Sequence, residues 1–497
     1  MKRNFIIACI SAITLTAVSC NEVKQTDIQP ENNNSSISGT VQENSTPDDN
    51  ATDDDNEEVV ITMASNGYPE GELRKAIERF NEADNGYRIV TKRYDPTVNV
   101  NNENGESIRV IENEEDAIME DFKLIQDAIN KDDIDIFPSF AFFSSAKLEI
   151  LKKMGAFVDL YSFMENDPEV NTSTLNQHIL SLNEIDGKLY SMPVSYFGST
   201  LIGESKYVGD KENWTVDEFI SHWEQMPEGS TVNGSINSEN IYYDVLRENL
   251  ESFVDYENLK VNFDCPEFKK ILEFCNRFES NGNNKGTYIY DAPSMVSFTD
   301  IADFNYAKLF GEHGNEKLKF TTPPYTMVGY PSSDGNGAFF QSGFSYSISA
   351  KSSPEKQKGA WEFIREFYTE EFQINYAVGE KIVEWDGSEH YSSEMYGFCI
   401  NNNAFDNIAE RTVAGEFHND TYSIEGNVYT NHLVTQEEVD KLKKYLDSIN
   451  RWETTLDRQL WNIIEKEVMA YFAGEKFLDD TVDMIQNRAS IWISEQY

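Results

Sequence analysis

The chain has 497 residues, is 39% apolar and 13% aromatic, and carries a formal charge of −46 at neutral pH. That length can hold more than one lobe with its own core. The charge repels phosphate backbones and anionic lipid heads, so it excludes nucleic acid as a partner and leaves solubility as its plainest meaning.

The first twenty residues give an address. Met1-Lys2-Arg3 is a basic start, Phe5 to Ala17 is an apolar run with few interruptions, and small residues follow. This is the layout of a secretory signal, too short to span a bilayer, which takes about 20 apolar residues. Ala17-Val18-Ser19-Cys20 resembles a bacterial lipobox, with Ala17 where Leu is more usual. The resemblance implies that residues 1–20 are a lipoprotein signal peptide and that Cys20 is the lipidated first residue of the mature chain.

Residues 21–58 hold 11 acidic residues, one Lys and almost nothing apolar. Such a segment cannot offset the entropy of ordering, so it is expected to be a disordered acidic tether. At 38 residues it spans about 35 Å as a flexible coil. Asp53-Asp54-Asp55 lacks the Gly and the spaced ligands of an EF-hand loop. With the tether and the leader set aside, −38 remains on residues 59–497.

The remainder alternates strands and helices. Val59 to Met63 is β-rich, Asn66-Gly67-Tyr68-Pro69 is a turn, and Leu73, Ile77 and Phe80 share one helix face before Asn85-Gly86 and the run Tyr87 to Val90. That is a βαβ unit. A second helix is predicted with Ile118, Phe122, Ile125 and Ile129 on one face, followed by a short buried strand at Asp135-Ile136-Phe137. Thr215 with Glu218 forms a capping box, and Ser353-Pro354-Glu355 opens a helix carrying Trp361, Ile364 and Phe367. The last two helices carry Leu456, Leu460, Ile463 and Ile464, then Val482, Ile485 and Ala489. The pattern is that of an α/β protein with more than one sheet-centred lobe.

Cys265 and Cys275 flank a helix predicted over Pro266 to Phe278. Ten helical residues separate them by about 15 Å, beyond the roughly 7 Å a disulfide allows, so they do not pair with each other. Cys399 is the third cysteine after Cys20, so at least one thiol is free. No CxxC or clustered His suggests a metal, and GxSxG, HExxH and the P-loop signature are absent.

Several stretches, taken in order, resemble the extracellular solute-binding proteins of bacterial ABC importers, in the maltose-type sugar-binding branch. They are the opening strand–Asn66-Gly67-Tyr68–helix unit, Asp135 to Phe140 followed by Gly155 to Leu160, Asp186 to Val194, Gly337 to Phe340 through Ser345 to Ser349, and the helix around Trp361 to Ile364. Residues 380–394, with Glu384-Trp385-Asp386-Gly387, depart from the pattern as an insertion. The resemblance implies a two-lobed, periplasmic-binding-protein-like (type II) α/β fold with a hinge and an interlobe cleft. It places lobe 1 at about 59–192 plus 345–385, and lobe 2 at about 197–341 plus 395–497. The chain would cross between lobes near Met192 to Phe197, near Ser342 to Ser345, and within 380–400.

The same resemblance implies capture of a small solute, a sugar, and its delivery to the permease subunits of an ABC transporter by hinge closure. The protein would be a monomer, lipid-anchored at the extracellular face of the cytoplasmic membrane, with no cofactor and no metal. Sugar recognition needs flat aromatic faces and fixed polar atoms, because an unpaired buried hydroxyl costs about 1–3 kcal/mol. The candidates on loops opening onto the cleft are Asn66, Tyr68, Ser139, Phe140, Phe142, Tyr196, Phe197, Phe298, Asp300, Phe344, Tyr346 and Trp385. Core packing competes with ligand contact for each single aromatic. Phe344 and Tyr346 alternate in a strand and so share a face. Peptides and polyamines are the alternative ligands. A surface glycan-acting enzyme and a sensory receptor are the alternative functions; the many carboxylates identify no catalytic pair.

Overall fold

The computed structural model describes residues 58–65, 71–93, 98–101, 107–110, 127–131, 133–139, 151–165, 167–255, 258–280, 292–311, 323–333, 335, 337–383, 389–418, 421–424, 427–430, 432–453 and 458–496. The leader with Cys20, the tether up to residue 57, and most of the helix expected over Ile118 to Ile129 lie outside these.

Two five-stranded sheets organise the chain. The first half supplies β1 (Val59–Ser65), β2 (Tyr87–Arg93), β3 (Ile136–Pro138), β4 (Met192–Pro193) and β5 (Ser195–Glu204). The second supplies β6 (Ser297–Ile301), β7 (Tyr325–Met327), β8 (Phe339–Gln341), β9 (Ser345–Ile348) and β10 (Phe398–Cys399). The first sheet has the order β2-β1-β3-β9-β4. β1 runs parallel to β2 and β3, whereas β9 is antiparallel to both its neighbours. Helix α1 (Gly71–Glu82) makes the crossover from β1 to β2 and buries Ala76 and Phe80. That is the βαβ unit read from the sequence.

β5 is the centre of the second sheet and pairs antiparallel with β6, β7, β8 and β10. All ten of its residues are buried. The sequence SYFGSTLIGE accordingly shows no simple polar–apolar alternation, as expected of a strand covered on both faces.

Helices cover the sheets. They include α2 (Val216–Trp223), α3 (Pro266–Cys275), α4 (Pro354–Ile364), α5 (Glu370–Val378), α6 (Asn402–Val413), α7 (Gln436–Ser448), α8 (Arg458–Phe472) and α9 (Leu478–Gln496). Their starts follow local chemistry. Thr215 Oγ1 accepts from the Glu218 amide at 3.3 Å while the Glu218 carboxylate accepts from the Thr215 amide at 2.8 Å, the reciprocal cap expected. Thr435 and Glu438 repeat it on α7. Ser353 caps α4 with Pro354 at its first position. α3 ends at Cys275, shorter than the expected Phe278; the last three residues form a tighter turn, with Arg277 and Phe278 amides bonding Phe274 and Cys275 carbonyls. Cys265, Cys275 and Cys399 are all free thiols. Among the described residues no helix is long and apolar enough to cross a membrane.

Two large apolar clusters form the core. One contains residues of both sheets, Ile61 and Ile348 from the first and Ile202 and Phe340 from the second. The other packs Leu201 and Phe339 of the second sheet against α2, α3, α8 and α9. Successive β5 residues, Leu201 and Ile202, therefore serve opposite cores. Burial of this apolar surface is the main driving force for the fold.

Asp135, fully buried, fixes the first sheet to α4. Its carboxylate accepts from the Thr62 amide at 2.8 Å, Ser352 Oγ at 2.5 Å and Lys356 Nζ at 3.1 Å. A buried charge is tolerable only with such partners.

Candidate functional site

The chain passes between the sheets at Val194, between β4 and β5, and at Ser342–Phe344, between β8 and β9. A third segment, 379–397, leads from α5 to β10. The family resemblance puts its expected crossings near these stretches. Short polar groups tie them together. The Val194 amide donates to the Phe344 carbonyl at 3.1 Å, and Ser195 Oγ donates to the Tyr396 carbonyl at 2.7 Å. Ser139 Oγ accepts from the Ser345 amide at 2.9 Å. Buried Gln373 of α5 donates to the Val194 carbonyl at 2.8 Å and accepts from the Asn401 amide at 2.9 Å.

A polar–aromatic cluster sits beside these passages. Register places Asp300 of β6 opposite Ser199 of β5, and Ser199 Oγ donates to Asp300 Oδ1 at 2.5 Å. Tyr396 Oη donates to the other carboxylate oxygen at 3.4 Å. The Tyr396 ring stands edge-on to Phe197 with centroids 4.8 Å apart, a favourable aromatic geometry. Burial pushes the Asp300 carboxyl above its usual range, while the bonds from Ser199 and Tyr396 oppose that shift. Burial, then the Asp300 charge, pushes the Tyr396 phenol up as well.

Gly397 sets the path of this segment. Its φ is +106°, and a Cβ there would lie 2.6 Å from the Tyr196 carbonyl oxygen. Only glycine fits both the backbone angle and the close approach.

Two cavities flank the segment. The larger, about 530 Å³, has Ser393, Met395 and Tyr396 on one side and Asp303, Phe405 and His418 among its other walls. The smaller, about 230 Å³, takes Glu394 instead, with Tyr376, Phe344 and Tyr346. The segment alternates between them, so it forms their common wall. The larger mixes rings with carboxylate, amide and hydroxyl groups, the lining a small polar ligand requires. Among the described residues, no group of three or more His, Cys, Asp or Glu is arranged to hold a metal ion.

The structure brings some expected residues here and not others. Phe344 and Tyr346 share a face, as alternation requires, and both line the smaller cavity. Asp300 and Phe197 meet through Tyr396. Phe298, 52% exposed, lies two residues before Asp300 on β6. Ser139 is engaged in tying β3 to β9. Tyr196 is packed in the core against Phe340 and Phe398, its hydroxyl accepting from Asn176 Nδ2 at 3.2 Å. It lines neither cavity, because it points to the opposite face of β5 from Phe197. Asn66, Tyr68, Phe140, Phe142 and Trp385 lie outside the described residues. Sequence reading did not single out Glu72, Tyr376, Glu394 and Tyr396. The only signal for the last two was the crossing placed within 380–400.

Comparison with known proteins matches residues 75–381 to the family model for bacterial extracellular solute-binding protein. No curated protein matches the chain in sequence. Solved structures that resemble it include a cyclic α-maltosyl-1,6-maltose binding protein from Arthrobacter globiformis, at 14% identity and TM-score 0.49, covering 88% of this chain and 99% of that one. An ABC substrate-binding protein from Listeria monocytogenes in complex with cycloalternan has 13% identity and TM-score 0.47, with 88% and 100% covered. A family 1 extracellular solute-binding protein from Alicyclobacillus acidocaldarius has 13% identity and TM-score 0.49, with 88% and 98% covered.

Proposed function

Because the chain belongs to the bacterial extracellular solute-binding proteins, we propose that it captures a carbohydrate beside the sheet-to-sheet passages and hands it to an ABC permease. The observation that carries this reading is the Phe197–Tyr396–Asp300–Ser199 cluster next to a cavity of about 530 Å³. A ring offers a flat apolar face to the C–H side of a sugar, and a carboxylate held by two hydroxyls offers fixed acceptors to sugar hydroxyls.

Capture works by population shift. A ligand that touches groups on both sheets binds the closed arrangement better than an open one and so favours it. The passages at Val194 and Ser342–Phe344 are the proposed hinge, with the third crossing in 379–397. The proposed lobes are those set out from the sequence, about 59–192 with 345–385 and about 197–341 with 395–497.

Cys20 is the proposed lipid anchor and residues 21–58 the proposed tether, which together would hold a strongly anionic domain at the outer face of the membrane despite lipid repulsion. The role is binding without catalysis.

A thermal-shift screen against mono- and oligosaccharides tests the reading, with peptides and polyamines as controls. A ligand present at 100 times its dissociation constant adds about 2.7 kcal/mol of stability. A raised melting temperature with one glycan class, and no product on long incubation, supports sugar capture. A shift with a control alone overturns the ligand class, and consumption of the glycan overturns the non-catalytic role.

A further inference from the structure

Between α5 and β10 the strands Glu380–Val383 and Glu389–Ser392 pair antiparallel with each other. Among the described residues they form a two-stranded sheet of their own, joined to neither five-stranded sheet. The hairpin lies in the stretch that departs from the family pattern in sequence. A two-stranded hairpin is marginal alone, so its position depends on the few contacts its side chains make.

One face of the hairpin is a wall of the larger cavity. Register puts Lys381 opposite Tyr391, so both side chains leave the same face, and both line that cavity. Ile382, on the other face, is 38% exposed. The base is set by Gly379, which ends α5 in the left-handed region at φ +71°, and by Glu380, which pairs with Lys75 of α1 at 3.0 Å.

Tyr391 reaches the opposite wall. Its ring stands edge-on to Phe417, centroids 5.6 Å apart, and its Oη donates to Glu416 Oε1 at 3.4 Å. Both partners lie just beyond the end of α6 and line the same cavity. They are braced from behind. Arg411 Nε donates to Glu416 Oε2 at 2.6 Å, and the guanidinium lies 5.3 Å from the Phe417 ring centroid. The bond from Arg411 holds the Glu416 carboxyl below its usual range, which keeps it an acceptor.

We propose that this hairpin is a lid on the larger cavity, pivoting at its base and caught by Tyr391 against Phe417 and Glu416, so that release of the catch opens the cavity. The catch is one ring contact and one long hydrogen bond, weak enough to release without unfolding the sheets. The braced wall stays in place while the hairpin moves. The lid governs access to the cavity proposed for the carbohydrate, but it rests on this geometry alone, and its test needs no sugar.

The test is oxidation of the whole ligand-free protein by hydrogen peroxide, which turns a thioether into a sulfoxide and releases water. Met395 lines the cavity, Met154 is 68% exposed, and Met192 is fully buried in the core. Peptide mass mapping follows all three. In the unaltered protein Met154 reacts first and Met395 slowly. Tyr391→Ala removes the whole catch and should speed Met395 about tenfold, with Met154 and Met192 unchanged. Tyr391→Phe keeps the volume of the wall and loses only the hydroxyl, so its gain, about threefold, reports opening rather than a hole. Phe417→Leu tests the catch from the opposite wall and should give the same selective rise. Folded variants that leave Met395 at its original rate would overturn the proposal. So would Met395 reacting as fast as Met154 in the unaltered protein, or rising only together with Met192.

Discussion

The Glu72 amide at the start of α1 donates to the carboxylate of Glu394, 322 residues later in the chain, at 2.9 Å. A helix start leaves amides without internal partners and carries partial positive charge, so a carboxylate there is stabilising. Helix caps are usually local. This one comes from the segment that leads into β10, and it fixes that segment against α1. Gly71, with φ of +54°, makes room for it; a Cβ there would meet Glu394 Oε2 at 2.3 Å.

Removing that carboxylate should loosen both partners. Glu394→Ala is expected to cost about 1 kcal/mol, as the loss of a helix cap does. Hydrogen exchange is the direct readout: the first amides of α1 and residues 393–396 should lose protection together, while Glu394→Gln retains most of it. Unchanged protection in the Ala variant would mean the contact contributes nothing.

Asp300 gives a pH-dependent signature. Burial raises its carboxyl above the ordinary aspartate value of 3.8. A carboxyl with a raised folded pKa makes the native state bind protons more readily than the unfolded one, so its contribution is fully present below 3.8 and is lost as pH rises through the folded value. Above the folded value the ionised group is therefore a net cost. Asp300→Asn should raise the melting temperature at pH 7, and that gain should vanish near pH 4. A gain that is the same at both values would refute this assignment.

Gly397→Ala is expected to destabilise by about 1–3 kcal/mol, the range for backbone strain at positive φ. The clash with the Tyr196 carbonyl would also displace Tyr396, so carbohydrate affinity should fall beyond what lost stability explains. Comparing unfolding midpoints with binding constants separates the two effects.

The three thiols should differ in reactivity. Cys275 and Cys399 are buried and Cys265 is partly exposed. Burial pushes Cys275 well up and Cys399 up to about 12, which suppresses the reactive thiolate. Titration with a thiol reagent should label Cys265 first, and the other two only on unfolding.

Local chemistry was readable in advance where the cause was local. The Thr215–Glu218 box, the Ser353-Pro354 start and the βαβ opening rest on residues a few positions apart. The passages between sheets came from the family resemblance, near Met192 to Phe197 and near Ser342 to Ser345, and not from any local pattern. The candidate site was not readable in the same way. Phe197 meets Tyr396, and Glu72 meets Glu394, across separations no periodicity reports. Tyr196 and Phe197 were indistinguishable as sequence, and the pleat of β5 sends one to the core and the other towards Tyr396. Alternation did pair Phe344 with Tyr346, but only the fold shows that their shared face borders a cavity.

The single wall between the two cavities has a thermodynamic implication. Ser393, Met395 and Tyr396 face one compartment and Glu394 faces the other, so neither side can be remodelled without moving the opposite lining. Occupants of the two compartments would then be linked, and linkage is symmetric: whatever factor the guest in one compartment applies to affinity in the other, it receives in return.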